Sequence, residues 1–165
     1  MTYLLDANTL IDAKNRYYQM GFCPGFWDWI LQHWAAGTIA SIKSIEAELR
    51  RGNDELADWV KTNAKIFLAE SDAGTQTIFG EVAAHVASME ATMKAGALNE
   101  FLGGADPWLI AKAKAMGATV VTNEHLDLRN RKKFLIPNVC RHFGVPYMNT
   151  FELLNQLQAE FVLSA

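Results

Sequence analysis

"TYLLDANTLID", residues 2–12, runs apolar residues straight into an aspartate, then an asparagine, then a helix-like stretch. Residues 2–6 read as a short buried strand and residues 8–16 as the helix that follows. Asp6 therefore stands at the end of a hydrophobic strand. There it caps the next helix, makes an Asx turn, or faces a crevice. In open parallel sheets, functional groups gather at the carboxyl ends of the strands, where the strand order reverses.

The rest of the chain predicts such a sheet. "TIAS" at 38–41, "ATVVTNE" at 118–124 and "VPYMN" at 145–149 read as further strands, and "KIFLAES" at 65–71 is ambiguous between strand and helix end. Between them lie helical patterns. Trp27, Ile30, Leu31 and Trp34 recur at helical spacing between Pro24 and Gly37. "SIKSIEAELRRG" ends at Gly52, and Asp54 begins another helix carrying Leu56, Trp59 and Val60. Ile78, Val82, Val86, Met89 and Met93 predict one long amphipathic helix over 75–95. "ADPWLIAKAKAMG" places Asp106 as N-cap, Pro107 in the first turn and Gly117 past the end. A basic, loop-like segment follows Glu124, and a last amphipathic helix starts at Thr150. Strands alternating with helices predict a three-layer α/β/α sandwich with a central, mostly parallel sheet, as one domain over 1–165.

Half of the 165 residues are hydrophobic and a fifth are charged, as in ordinary globular chains. Cys23 and Cys140 form no C-x-x-C pair, and residues 1–30 show no secretory pattern, so reduced thiols in a cytoplasm are expected. No apolar stretch is long enough to span a bilayer. The net charge of −3 argues against a generic nucleic-acid coat. If acids are concentrated in one site, the remainder of the chain carries a small positive balance.

Four acids fall where an α/β pattern puts function. Asp6 ends the first strand, Glu124 ends "ATVVTNE", Asp106 opens the helix before that strand, and Glu48 lies on the helix after the second strand. On that helix Ile42, Ile45 and Leu49 form the buried stripe, and Glu46 and Glu48 flank it on opposite sides. Periodicity leaves the choice between these two open. Each acid also has a plainer role, as helix cap or as solvated surface charge.

Two families carry motifs of this kind. "YLLDANTLID" resembles the first motif of haloacid-dehalogenase-like phosphatases, which implies Asp6 as nucleophile. Asn8 stands where that motif has its second aspartate, and "GGADPW" is a poor match to its late motif. The fuller resemblance is to PIN-domain ribonucleases. "LLDANTLI" is similar to their apolar strand ending in D-x-N/S, "AELRRG" to E-L-x-x-G with Glu48, "GADPWLIAKA" to A-D-x-x-I/L-A-x-A with Asp106, and "VVTNE" to T-x-D/E with Glu124. It is this match, not periodicity, that prefers Glu48 over Glu46. "RKKFLIPNVCRHFGVPYMNTFELL" resembles a branch in which T-x-E is followed by a basic segment and I-P-x-V-C. Glutamate replaces the more usual aspartate at the fourth position, and Asp127 is a weaker candidate to compensate.

This resemblance implies phosphodiester hydrolysis of RNA with Mg2+ or Mn2+. Hard cations take oxygen ligands, and magnesium keeps several waters, so a few carboxylates suffice. Asp6 and Asp106 are the candidates for direct ligands. Glu48 and Glu124 are candidates for ligation through water or for orienting the attacking water. Asn8 and Thr122 would fix carboxylate orientation. The four histidines show no H-E-x-x-H spacing, against a zinc site. Arg50 and Arg51 beside Glu48, and Arg129, Arg131, Lys132 and Lys133 after Glu124, are candidate phosphate contacts, against a background in which basic runs are mostly solvated loops. Trp27, Trp34 and Trp59 sit at core-like positions, whereas Trp108 reads equally as core or as a base-stacking residue. The resemblance further implies a toxin of a bacterial toxin–antitoxin pair, with a cognate antitoxin and homodimerisation as expected contacts. Phe151, Leu154, Leu157 and Phe161 offer a stripe for such a contact or for the core. A non-catalytic scaffold that binds RNA or a partner is the remaining alternative.

Overall fold

The structure, a computed structural model, describes residues 1–164. Five parallel strands form one sheet in the order β3-β2-β1-β4-β5. They are β1 (Tyr3–Leu5), β2 (Ile39–Ile42), β3 (Phe67–Leu68), β4 (Thr119–Val121) and β5 (Tyr147–Met148). The chain starts in the middle strand, builds outward through β2 and β3, then crosses back to add β4 and β5. The order therefore reverses between β1 and β4, and a crevice opens beyond their carboxyl ends.

Helices cover both faces, which is why the central strands are apolar throughout rather than alternating. Leu4, Leu5, Ile39, Ile42, Val120 and Val121 are all buried. Each such side chain contributes roughly 1.5–3 kcal/mol of transfer free energy. The helices α1 (Ala7–Asn15), α3 (Lys43–Arg50) and α4 (Glu55–Thr62) pack together, and α2 (Pro24–Ala35) packs on β2. The helices α5 (Ala73–Ser88), α6 (Ala97–Gly103), α7 (Asp106–Met116) and α8 (Ile136–Phe143) form a second group, with α7 against β2 and β4. Helix α9 (Thr150–Gln156) closes the described fold behind a capping box of Asn149 and Glu152. The three-layer α/β/α expectation is borne out.

Three expectations are corrected. The long helix over 75–95 stops at Ser88. A 3-10 turn over Glu90–Thr92 follows, and Lys94 N donates to Arg131 O, tying this end to the basic loop. The segment before Gly144 is not all loop: Ile136–Phe143 is a helix with Pro137 in its first turn and Gly144 in the left-handed region (φ 64°). Asp106 is not an N-cap. Ala105 holds that position with no side-chain cap, and Asp106 is the first helical residue. The Gly117 stop stands, with φ 68°.

Trp27 is buried and donates to Tyr18 O at 2.7 Å, and its ring meets Trp59 edge-on. Trp34 is half-buried against the core. Trp108 stacks on Phe79 of α5 at 3.9 Å, which makes it a packing residue between α5 and α7. Cys23 and Cys140 are both free thiols. Among the described residues, no helix is long and apolar enough to cross a membrane.

Candidate active site

Asp6 follows β1 directly and caps α1, accepting from Ala7 N at 2.7 Å. The capping role is thus real, but it uses one oxygen. The other, Oδ2, accepts from Thr122 Oγ1 at 2.9 Å across the strand switch. Asp6 N donates to Val121 O at 2.8 Å, which locks the two strand ends together. Thr122 Oγ1 in turn accepts from Asn8 Nδ2 (3.4 Å) and from Glu124 N (3.2 Å). Asn8 Oδ1 accepts from Asn123 N at 3.0 Å. Asn8 and Thr122 therefore tie the end of β1 to the end of β4 and set the direction of Asp6.

Asp106 opens α7 beside this network. Its carboxyl is pushed up to about 7, first by burial and then by the charges of Glu124 and Glu48, with Lys133 opposing. Asp6, only 5% exposed, is pushed up to about 8 by burial, then by Asp106, with the Thr122 hydrogen bond pulling it down and Glu124 pushing it up. These couplings place all four acids of the sequence motif in one electrostatic cluster. Glu48 Oε1 accepts from Ala105 N at 3.0 Å, so α3 is stitched to the start of α7. Glu48 and Asp106 line one cleft of about 230 Å3 together with Glu100 and Lys133.

The choice between Glu46 and Glu48 is decided by geometry. Glu46 is buried on the other flank of α3, in ion pairs with Lys43 (2.6 Å) and Arg50 (3.4 Å). It takes no part in the cluster around Asp106. Glu124 is held on both oxygens: Oε1 lies 3.0 Å from Lys133 Nζ, and Oε2 accepts from Ile136 N, at the start of α8, at 2.7 Å. The glutamate is therefore anchored by the start of α8. Asp127 is an exposed loop residue, whose Oδ1 accepts from Arg129 N and whose backbone pairs with Asn138. It adds nothing to the cluster.

Of the six candidate cations, Lys133 is at the cleft itself. Its amine is raised above the ordinary lysine value, chiefly by the bond to Glu124. Arg50 is paired with Glu46, and Arg131 Nη1 donates to Leu128 O and Asn130 O within its own loop. Arg51, Arg129 and Lys132 are exposed. Sequence reasoning overlooked Asn123, whose side chain bonds Asp12 (2.9 Å) and Thr150 (3.0 Å) and so fixes α1 and α9 to the end of β4. Its place between Thr122 and Glu124 in the strand-end motif was the available signal.

Whether the residues fit a divalent cation can be judged from the donor set. The chemistry fits: four hard carboxylate oxygen donors, two of them with strongly raised pKa values, and Lys133 as the cation that opposes them. Burial and mutual repulsion make the cluster costly to ionise, and a bound cation would offset that cost. The side chains are not drawn together into a ligand sphere. Among the described residues no three carboxylate, imidazole or thiol groups converge as direct ligands, so water would supply part of any coordination.

The acidic cluster lies at the switch point of a five-stranded parallel sheet, beside a D-x-N strand end, and the fold expected from the motif resemblance is the one observed. The chain belongs to the family described as domain of unknown function (DUF4411), whose model matches residues 3–161. Two similar solved structures have the same fold. One is VapBC2 from Rickettsia felis, bound to a DNA fragment from its promoter: 16% identical, covering 90% of this chain and 98% of that one, TM-score 0.55. The other is FitAcB from Neisseria gonorrhoeae: 17% identical, covering 91% and 99%, TM-score 0.54. No curated protein matches the chain.

Proposed function

We propose that this chain is a metal-dependent endoribonuclease that hydrolyses RNA phosphodiester bonds, and that it is the toxin of a toxin–antitoxin pair. The observation that carries the reading is the clustering of Asp6, Glu48, Asp106 and Glu124, with Asp6 and Asp106 raised to about 8 and 7 by burial and mutual repulsion. Carboxylates perturbed by burial and by one another, beside a cleft, are the signature of a candidate functional site. The toxin assignment follows from the motif resemblance to PIN-domain ribonucleases, and the fold shared with VapBC2 and FitAcB is consistent with it.

A bound Mg2+ or Mn2+ would stabilise charge on the phosphoryl oxygens and lower the pKa of a coordinated water. The chain's own residues do the rest. Asp6 and Asp106 would hold the ion, and Glu48 and Glu124 would bind or orient its water. Thr122 and Asn8 hold Asp6 in place, and Ala105 N and Ile136 N hold the two glutamates. Lys133 and the arginines of the neighbouring loop meet the RNA backbone. An antitoxin that brings a basic side chain into this cleft would block it.

The phosphatase alternative is disfavoured by Asn8. The second carboxylate that such a nucleophile needs as acid/base is replaced by Asn8, whose amide is tied to Thr122 and Asn123. The substrate test is direct. Purified protein with Mg2+ or Mn2+ is expected to cut single-stranded RNA internally and to leave a generic phosphomonoester untouched. Turnover of the monoester alone would restore the phosphatase. Neither activity, together with RNA or partner binding, would make the chain a scaffold.

A further inference from the structure

Beside the acidic cleft lies a cavity of opposite character. It encloses about 280 Å3 between the end of α5, the loop after β4, and α8, and among the described residues no carboxylate lines it. Its apolar wall includes Met89, Met93, Phe134 and Val139. Arg131 and Arg141 bring positive charge to it. His85 and His142 stack there face to face, with centroids 3.5 Å apart and planes within 11°. Arg131 is partly committed to bracing its loop, but Arg141 and His142 are exposed. The cavity joins the acidic cleft through Lys133 and Phe134, which line both.

We propose that this cavity is a nucleobase subsite. It takes one unpaired nucleotide of the RNA strand whose phosphate lies at the acidic cleft, and so it selects where the strand is cut. The proposal rests on the nuclease reading and adds the determinant of sequence preference to it.

The chemistry matches each part of a nucleotide. Every base has a π-face, which stacks on flat or polarizable apolar groups; methionines and an imidazole stack provide both. A neighbouring phosphate of the same strand, distinct from the one at the acidic cleft, is met by Arg141 and Arg131 without a carboxylate to repel it. The size matters too. A base in a duplex reaches such a cavity only after unpairing and unstacking, a cost that an unpaired base avoids. Continuity through Lys133 gives the strand an unbroken path from the base to the acids.

Binding and cleavage are tested separately. With the full chain in EDTA, a labelled single-stranded RNA octamer is titrated against wild type, Arg141→Ala and His142→Ala. The same octamer carrying one abasic nucleotide, placed in turn at each position, is titrated alongside. Both substituted residues are exposed, and an unchanged thermal midpoint confirms folding; Arg141→Gln serves if the alanine variant is unstable. The expected result is about tenfold weaker binding for each variant and for the abasic strand at one position only. In a second arm, cut sites on a mixed-sequence RNA are mapped with Mn2+, and Arg141→Ala is expected to redistribute them. Equal binding by wild type and both variants, or abasic strands that all bind like the intact one, would overturn the subsite. So would displacement of the octamer by a hexaglutamate peptide as effective as unlabelled RNA, which would mark a protein-docking patch. If RNA is cut but neither variant changes binding or cut sites, the subsite falls alone. If no RNA is cut yet the binding differences hold, the subsite stands and the nuclease reading falls.

Discussion

Thr122 has one proton to donate, and its neighbours determine where that proton goes. Its oxygen receives hydrogen bonds from Asn8 Nδ2 and Glu124 N, so its own hydrogen points to Asp6. Thr122→Val keeps the shape and removes the bond. Metal affinity is expected to fall roughly 10–100-fold, as for other groups that orient ligands. Calorimetric titration with Mn2+ reads this directly, and unchanged affinity would remove Thr122 from the site. The two glutamates of α3 give a sharper contrast. Glu46→Gln loses ion pairs to half-exposed partners, worth at most about 1 kcal/mol, and should leave RNA cleavage intact. Glu48→Gln loses charge in the cleft and should depress cleavage with little loss of stability. If the two variants exchange these effects, the assignment made from geometry is wrong.

The raised acids also make a stability prediction with a definite sign. Asp6 and Asp106 hold protons in the folded state up to about pH 8 and 7, but release them near 3.8 when unfolded. Their effect on the metal-free fold is therefore most favourable below about pH 4. It is lost progressively as the pH rises through 7 and 8, because ionised carboxylates must then stay buried together. Urea unfolding in EDTA should show stability falling between pH 5 and pH 8. Addition of Mn2+ at pH 8 should recover it, because a ligand that binds only the folded state stabilises it. A rise in stability over that range without metal would contradict the burial and coupling described.

At the scale of elements, the segment from Glu124 to α8 does two jobs at once. Ile136 N anchors Glu124, and the loop before it carries the basic residues. Neutralising Arg131, Lys132 and Lys133 together should weaken RNA binding and flatten its salt dependence. On a single strand, the logarithmic slope should become shallower by roughly 0.7 for each phosphate that the protein no longer neutralises. An unchanged slope would show the loop to be ordinary solvated surface. This segment is also where the sequence was least legible. Residues 136–143 form roughly two turns of amphipathic helix framed by Pro137 and Gly144, too short to stand out beside a run of charges. The strands other than β3, and α7, were legible because apolar runs and Pro–Gly punctuation leave little choice; the two residues of β3 follow directly on a 3-10 turn and stayed ambiguous. The end of the helix at Ser88 was not, because Met89 and Met93 continue its periodicity while the Lys94–Arg131 backbone bond, a tertiary contact, ends it. The acids were legible as strand-end and helix-start residues. Lys133 inside their cluster was not, since nothing local separates it from Lys132.

At the scale of the molecule, the sheet brings acids from the end of β1, α3, α7 and the end of β4 close enough to couple electrostatically, from positions as far apart as Asp6 and Glu124 in the chain. A site assembled from four elements depends on the whole fold, so its activity should vanish cooperatively with unfolding. It should also be blocked by any partner that seats a cation in the crevice. Expression of the wild-type chain alone is expected to arrest growth, and co-expression of a cognate antitoxin to relieve the arrest. The central claim is that the acidic cluster cuts RNA with a divalent metal, and the most direct measurement compares wild type with Asp106→Asn on single-stranded RNA in Mg2+ or Mn2+. The account predicts internal cleavage by wild type, none in EDTA, and a loss of at least about 100-fold in the variant, which should stay folded and gain metal-free stability at pH 8. Cleavage by Asp106→Asn at the wild-type rate, or cleavage by wild type undiminished in EDTA, would contradict it.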